Sequence, residues 1–262
     1  MKLTILDFYA NQHTAFLHGA GQQGSNHLLH QLALKGQERV LEIGFGTGGS
    51  LVKLKSRFPD LQLFGVEQSE RMYQKARQRL GLCLLSDVQL HLINSPHYPF
   101  PDQHFDVIYV ESVLAILTTP QLKQVLKEIR RLLKPGGKLG FNETLWLSEV
   151  PQAEVERINA TCLEAFGIIQ ANGEIRDAAA WKDLLASERF ELQYCEPVEA
   201  KRLDWPSDWH RWPSAAFSKI GKGLAALRPA HRQQAQQLQA IEQRIFEPGK
   251  RYLNSYVFLV SR

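Results

Sequence analysis

The sequence predicts an α/β protein built on a doubly wound, mostly parallel sheet of seven strands. Three observations carry that prediction. Between residues 36 and 145 short apolar runs alternate with stretches of helical spacing, joined by short loops. The first run, Val40-Leu41-Glu42-Ile43, passes directly into a glycine-rich turn and then a helix. Two late runs, Phe190 to Val198 and Tyr252 to Ser261, flank a long insert, which permits an antiparallel edge pair.

In order along the chain, Val40, Leu41 and Ile43 give the branched aliphatic content of a strand buried on both faces. After the glycines, Ser50, Leu51, Val52 and Leu54 restart at helical spacing. Leu61 to Glu67 reads as the second strand, with Glu67 at its C-terminal end, and a helix carrying Met72, Ala76 and Leu80 follows. Val88 to Asn94 alternates apolar and polar residues and reads as the third strand. Pro96, Pro99 and Pro101-Asp102 break the chain before the fourth, Phe105 to Val110. Thr119 is the expected cap of the next helix, with Pro120 in its first turn. Leu122, Val125, Leu126, Ile129, Leu132 and Leu133 form its buried stripe, and Pro135-Gly136-Gly137 turns into a fifth strand, Lys138 to Phe141.

The segment Glu42-Ile43-Gly44-Phe45-Gly46-Thr47-Gly48-Gly49 is where a ligand is expected. Gly44, Gly46 and Gly49 satisfy the GxGxxG pattern of dinucleotide folds, with Glu67 near the position of a ribose-binding acid. The same stretch also fits Glu-x-Gly-x-Gly-x-Gly through Glu42, Gly44, Gly46 and Gly48. This second pattern resembles the first motif of class I S-adenosylmethionine-dependent methyltransferases. Glu42 separates the two. A pyrophosphate at a helix N-terminus wants no nearby carboxylate, whereas an aminoacyl sulfonium wants its positive charges neutralised.

Further segments resemble the small-molecule, sterol- and quinone-type subgroup of that family. Tyr98-Pro99-Phe100-Pro101-Asp102-Gln103-His104-Phe105-Asp106-Val107 is similar to its LPFPD..FDVV run. Arg131-Leu132-Leu133-Lys134-Pro135-Gly136-Gly137 is similar to its R.LKPGG motif, and Phe16-Leu17-His18-Gly19-Ala20-Gly21 is a looser echo of its entry segment. Ala180 to Leu185 resembles the helix before the late strands. The resemblance covers residues 36–200 and the final strand. It implies a Rossmann-like methyltransferase fold and S-adenosylmethionine as cofactor, with methyl transfer to a small-molecule acceptor, an apolar one being the further expectation. The family's Asp before the LPF run is replaced by Asn94, which keeps a carbonyl acceptor without the charge; Ser95 is the weaker substitute.

The resemblance and the chemistry together assign roles. Gly44, Gly46 and Gly48 are expected to cradle the cofactor, Glu42 to face its ammonium end and Glu67 to accept its ribose hydroxyls. Phe45 and Gln68 are candidate walls, Asn94 and Ser95 candidate adenine contacts, and Glu111 a candidate at the end of the fourth strand. In-line methyl transfer needs a base only when the acceptor must lose a proton early, so a catalytic residue need not be visible. Glu143, His18 and Glu111 are the candidates. The enzymatic alternative is an NAD(P)-dependent oxidoreductase on the same glycine loop, opposed by Glu42 and by the lack of a Tyr-x-x-x-Lys pair. The non-enzymatic alternative is a cofactor-binding domain without turnover.

The domain reading is a helical cap over residues 1–35 and a methyltransferase domain over 36–262, with 199–249 inserted as a second, lid-like cover. Three widely spaced cysteines (Cys83, Cys162, Cys195) form neither a disulfide framework nor a metal motif, so no metal is expected and the reducing cytoplasm is the natural compartment. The run before Asp7 is too short for a signal peptide. The formal net charge is +4. From 201 to 232 seven basic residues stand against Asp204 and Asp208, interleaved with Trp205, Trp209 and Trp212. That segment is expected to act as a lid or as a peripheral membrane contact; nucleic-acid binding is not expected, because no recognition motif accompanies it.

Overall fold

The computed structural model describes residues 5–15, 20–198 and 211–262. A seven-stranded sheet runs through it in the order β3-β2-β1-β4-β5-β7-β6. Its strands are β1 (Arg39–Ile43), β2 (Gln62–Glu67), β3 (Gln89–Leu92), β4 (Phe105–Glu111), β5 (Leu133–Trp146), β6 (Glu191–Pro197) and β7 (Leu253–Ser261). Pairings from β3 through β5 are parallel, and β7 runs antiparallel to both β5 and β6 at one edge. The late strands thus form the antiparallel edge pair expected of them. After β3 the chain crosses the sheet to place β4 beside β1. The topological switch lies between those two strands, where doubly wound sheets open a crevice beyond their carboxyl ends.

Helices cover both faces: α1 (Ile5–Asn11), α2 (Gly21–Leu32), α3 (Gly49–Arg57), α4 (Glu70–Leu82), α5 (Thr119–Leu132), α6 (Gln152–Phe166), α7 (Ala178–Ser187), α8 (Arg211–Leu227) and α9 (Pro229–Ile245). The α5 stripe is buried through Leu122, Leu126, Ile129 and Leu132. Its cap is Thr118 rather than Thr119: the Thr118 backbone N–H donates to Gln121 Oε1 at 3.1 Å, half of a capping box. The fifth strand begins earlier than the glycine pair suggested. Leu133 already pairs with Phe105, and Pro135-Gly136-Gly137 lies in a register shift before Lys138 meets Val107. α2 packs straight onto the sheet, with Leu28 and Leu32 above Gly140, where a Cβ would lie 2.5 Å from Leu32. On the opposite side of the sheet Phe141 and Phe258 stack with ring centroids 4.6 Å apart beside the buried Trp181.

Candidate functional site

β1 delivers Glu42 and then the glycine loop to the switch point. Gly44 adopts a positive φ of 73°, and a Cβ there would stand 2.4 Å from the Val113 side chain, so the turn admits only glycine without displacement. Gly48 (φ 80°) is the N-cap of α3 and lies close against Ala76 of α4. The loop is tied to β2: the Gly46 N–H donates to Glu67 Oε2 at 2.9 Å, while the Gln68 and Ser69 N–H groups donate to Oε1 at 2.8 Å each. Burial raises the Glu67 pKa, and those three hydrogen bonds oppose the rise. The glycine loop and the acid after β2 therefore form one hydrogen-bonded unit.

Glu42 is buried, and the Tyr109 hydroxyl donates to its Oε2 at 2.6 Å. Its pKa is pushed well above the usual carboxylate range, first by burial and then by the neighbouring charge of Glu111, with Glu67 adding to the effect and the Tyr109 hydrogen bond opposing it. Glu111 and Glu67 thus both act on Glu42 at the crevice, among protein groups that leave Glu42 short of positive charge. A ligand that brings a cation to Glu42 and vicinal hydroxyls to Glu67 suits this cradle.

Other sequence candidates take different places. Glu111 is held by two serines: Ser25 Oγ donates to Oε2 at 2.7 Å and Ser50 Oγ to Oε1 at 2.6 Å, which ties α2 and α3 to the end of β4. These bonds make it a brace between the helices and the sheet. Glu143 accepts backbone N–H bonds from Val113 (3.0 Å), Leu114 (2.8 Å) and Ala115 (3.2 Å). It holds the loop after β4, and burial carries its pKa up to about 8 against those bonds. Phe45 is buried among core residues, against Gly65 and Tyr73. Gln68 and Asn94 are exposed; Ser95 is half-buried and its Oγ accepts from the His97 N–H at 3.2 Å. His18, the remaining candidate base, lies outside the described residues, as do Trp205 and Trp209.

Sequence reasoning missed Arg79. Its side chain is fully buried and its guanidinium donates in three directions: Nε to Thr47 O (2.7 Å), Nη2 to His13 O (2.6 Å), and Nη1 to Ser214 O (3.0 Å) and Ser214 Oγ (2.8 Å). The Phe217 ring lies 5.1 Å from it. One residue of α4 thereby joins the glycine loop, the N-terminal segment and α8. Burial lowers its pKa to about 10, so it stays charged at neutral pH, and no carboxylate pairs with it among the described residues. The signal was positional. Residue 79 follows Met72 and Ala76 at spacings of four and three, on the face that α4 turns to the core. The entry segment reinforces this closure, since Thr47 Oγ1 donates to Thr14 O at 2.5 Å.

Beside the cradle lies a cavity of about 630 Å³. Ser112, just past β4, and Glu143 of β5 line it; Phe166, Ile169, Phe246 just past α9, and Leu253 give it apolar walls. Its polar groups include Tyr9, Gln23, Thr144 and Glu242. Burial, and then the nearby Glu242 charge, raise the Tyr9 pKa.

A doubly wound sheet with this strand order, a glycine loop after β1 and acids at the ends of β1 and β2 defines the Rossmann-like methyltransferase fold. Residues 40–137 match the family model described as a methyltransferase domain. The chain is 34% identical over 126 residues to a sterol 24-C-methyltransferase from Aspergillus fumigatus, covering 47% of this chain and 31% of that one. It is 32% identical over 116 residues to a demethylmenaquinone methyltransferase from Lactobacillus johnsonii, covering 44% and 47%. The chain therefore spans less than half the length of either relative. Among solved structures, phosphoethanolamine N-methyltransferase 2 from Haemonchus contortus, in complex with S-adenosylmethionine, superimposes with a TM-score of 0.70 at 16% identity, over 98% of this chain and 56% of that one. Geranyl diphosphate C-methyltransferase from Streptomyces coelicolor gives 0.61 at 18% identity, over 91% and 74%. Likeness at that level shows the fold, which also houses a cyclase. The oxidoreductase alternative finds no support among these relatives.

Proposed function

We propose that this protein transfers a methyl group from S-adenosylmethionine to a small, largely apolar acceptor. The single observation that carries the reading is the pairing of a cation-seeking acidic cradle with an apolar-walled cavity at adjacent strand ends. S-adenosylmethionine supplies an electrophilic methyl group. In this reading Gly44, Gly46 and Gly48 let the backbone approach the methionyl portion, Glu42 neutralises positive charge, and Glu67 accepts from the ribose hydroxyls. Asn94 and Ser95 stand beyond β3, where an adenine edge would need an acceptor.

In this reading the cavity holds the acceptor in line with the methyl donor, and such alignment supplies much of the acceleration in a displacement of this kind. No side chain of the described residues is assigned as base, since the carboxylates of Glu111 and Glu143 are engaged in bracing loops. Residues 1–35 and 199–249 are read as covers over the two halves of the site. The wide spacing of Cys83, Cys162 and Cys195, which suggests no disulfide framework, supports a reducing compartment such as the cytoplasm. No helix of the described residues is long and apolar enough to cross a membrane.

Calorimetric titration with S-adenosylmethionine, S-adenosylhomocysteine and NADH tests the cofactor. Micromolar binding of the adenosyl ligands alone is expected, with Glu67→Ala weakening it by about 1–3 kcal/mol, the cost of losing hydrogen bonds to a charged group. Labelled methyl donor with a panel of apolar hydroxyl, amine and alkene acceptors then tests transfer. Tight adenosyl binding with no labelled product across the panel would leave a cofactor-binding protein and refute turnover on these acceptors.

A further inference from the structure

α8 has two apolar faces. One, with Phe217 and Ala225 and the small residues Ser214 and Gly221, is buried against α4 and the segment around His13. The other is a row turned to solvent: Trp212 (79% exposed), Ile220 (59%), Leu224 (52%) and Leu227 (76%), with the exposed Ala216 between the first two. Steps of four, four, four and three residues keep these side chains within a band of about 120° along the helix. Single exposed apolar residues are ordinary, but a continuous row over a 17-residue helix marks a surface that something covers.

Charge selects the occupant. Lys219 and Lys222 are exposed along one border of the row, Arg228 follows its end, and α8 contains no Asp or Glu. The sequence from 201 to 232 has a surplus of five positive charges. A tryptophan at one end, aliphatics along the middle and lysines at the border are the composition of a helix that lies in a membrane interface. A second copy of the chain fits less well. Packing row on row about a two-fold axis would bring lysines of the same helix together, and one row of one helix falls short of the roughly 800 Å² per partner of a stable interface.

We propose that α8 docks this protein onto an anionic lipid surface. Trp212, Ile220, Leu224 and Leu227 enter the boundary between headgroups and acyl chains, and Lys219, Lys222 and Arg228 meet lipid phosphates and carboxylates. The docking surface is separate from the cavity and does not depend on methyl transfer.

Flotation of the full chain with phosphatidylcholine vesicles, with and without phosphatidylserine, tests it. The protein is expected to float with the anionic vesicles and to be released by salt. The double variant Lys219→Gln/Lys222→Gln should partition about 30-fold more weakly at low salt, from roughly fivefold per cation near an anionic surface. Ile220→Ser/Leu224→Ser should lose binding by a similar or larger factor. These side chains are exposed, so unchanged far-ultraviolet circular dichroism is expected of every variant. Native protein that stays in the aqueous phase, or serine variants that float as the native chain does, would overturn the proposal. A concentration-dependent dimer in analytical ultracentrifugation that Ile220→Ser/Leu224→Ser dissolves would also overturn it and assign the row to a second copy.

Discussion

Replacing Arg79 with methionine tests whether one buried guanidinium holds the covers of the site closed. Methionine keeps most of the stem volume and removes every donor. Three main-chain carbonyls, Thr47 O, His13 O and Ser214 O, would each lose the guanidinium as a donor, as would the Ser218 hydroxyl that lies 3.2 Å from Nη1, although Ser218 Oγ still donates to His13 O at 2.7 Å. Each hydrogen bond to a charged donor contributes about 1.5–3 kcal/mol, but the contacts share one group and do not add. Removing a buried charge with no carboxylate partner returns several kcal/mol of desolvation. The balance is a net loss of about 2–4 kcal/mol, falling on the docking of α8 and the His13 segment and sparing the sheet. Amide hydrogen exchange along α8 should therefore accelerate by roughly 30- to 1,000-fold, while β1, β4 and β5 stay protected. Thr47 lies within the glycine loop, so affinity for S-adenosylhomocysteine should fall as well, and Arg79→Lys should restore part of it. Wild-type exchange in α8 together with wild-type affinity in Arg79→Met would refute the reasoning.

Three further outcomes are expected. Gly44→Ala should destabilise the fold by about 1–3 kcal/mol in urea unfolding, because the residue is held at φ 73° and its Cβ would meet Val113 at 2.4 Å. Ligand binding should release protons: a cation at Glu42 lowers a carboxyl pKa that burial and Glu111 have raised, so affinity increases with pH through the ligand-free pKa of Glu42. Calorimetry in buffers of different ionisation enthalpy reads that release, and its absence would remove Glu42 from the charge balance. Glu143 has a folded pKa of about 8, above its unfolded value, so the stability it confers is complete below about pH 4 and is lost as pH rises toward 8. Urea unfolding should show a decline of a few kcal/mol over that window, and Glu143→Gln should flatten the decline while costing about 1–3 kcal/mol at the acid end for the Ala115 N–H it leaves unpaired.

What the sequence made legible is what short-range patterning determines. Alternation and helical spacing located seven strands, and the late pair assembled at the antiparallel edge as their separation allowed. Thr118 and Thr119 are equally good caps in isolation, and only the reach of Gln121 chose between them. α6 buries Val155, Ile158, Cys162 and Phe166 at spacings of three, four and four, a pattern present in the sequence but obscured by the polar residues between them. The candidate site was legible where it is made of consecutive residues, in the glycine loop and in Glu67 after β2. It was illegible where partners are distant. Tyr109 meets Glu42 from 67 positions away, and Ser25 meets Glu111 from 86.

Those distant partners also explain why three carboxylates of similar promise part company. Glu111 and Glu143 stand one residue out of register on neighbouring strands, Glu111 pairing with Asn142. The pleat therefore sends their side chains to opposite faces of the sheet. Glu111 meets the serines of α2 and α3, and Glu143 meets the backbone of the loop after β4. Both are saturated by groups that the fold itself supplies. Glu42, on the same face as Glu111 through the Glu42–Tyr109 pairing, has Tyr109 as its hydrogen-bond donor and two acids as electrostatic neighbours. Its negative charge is the one that the surrounding protein does least to stabilise, which is the condition under which a bound cation gains most from being there. An acid left in that state directly before a glycine turn is what a sulfonium- or ammonium-bearing ligand requires and what a pyrophosphate would be repelled by. The discrimination between the two ligand classes thus rests on the cross-strand surroundings of Glu42 as much as on the motif that contains it.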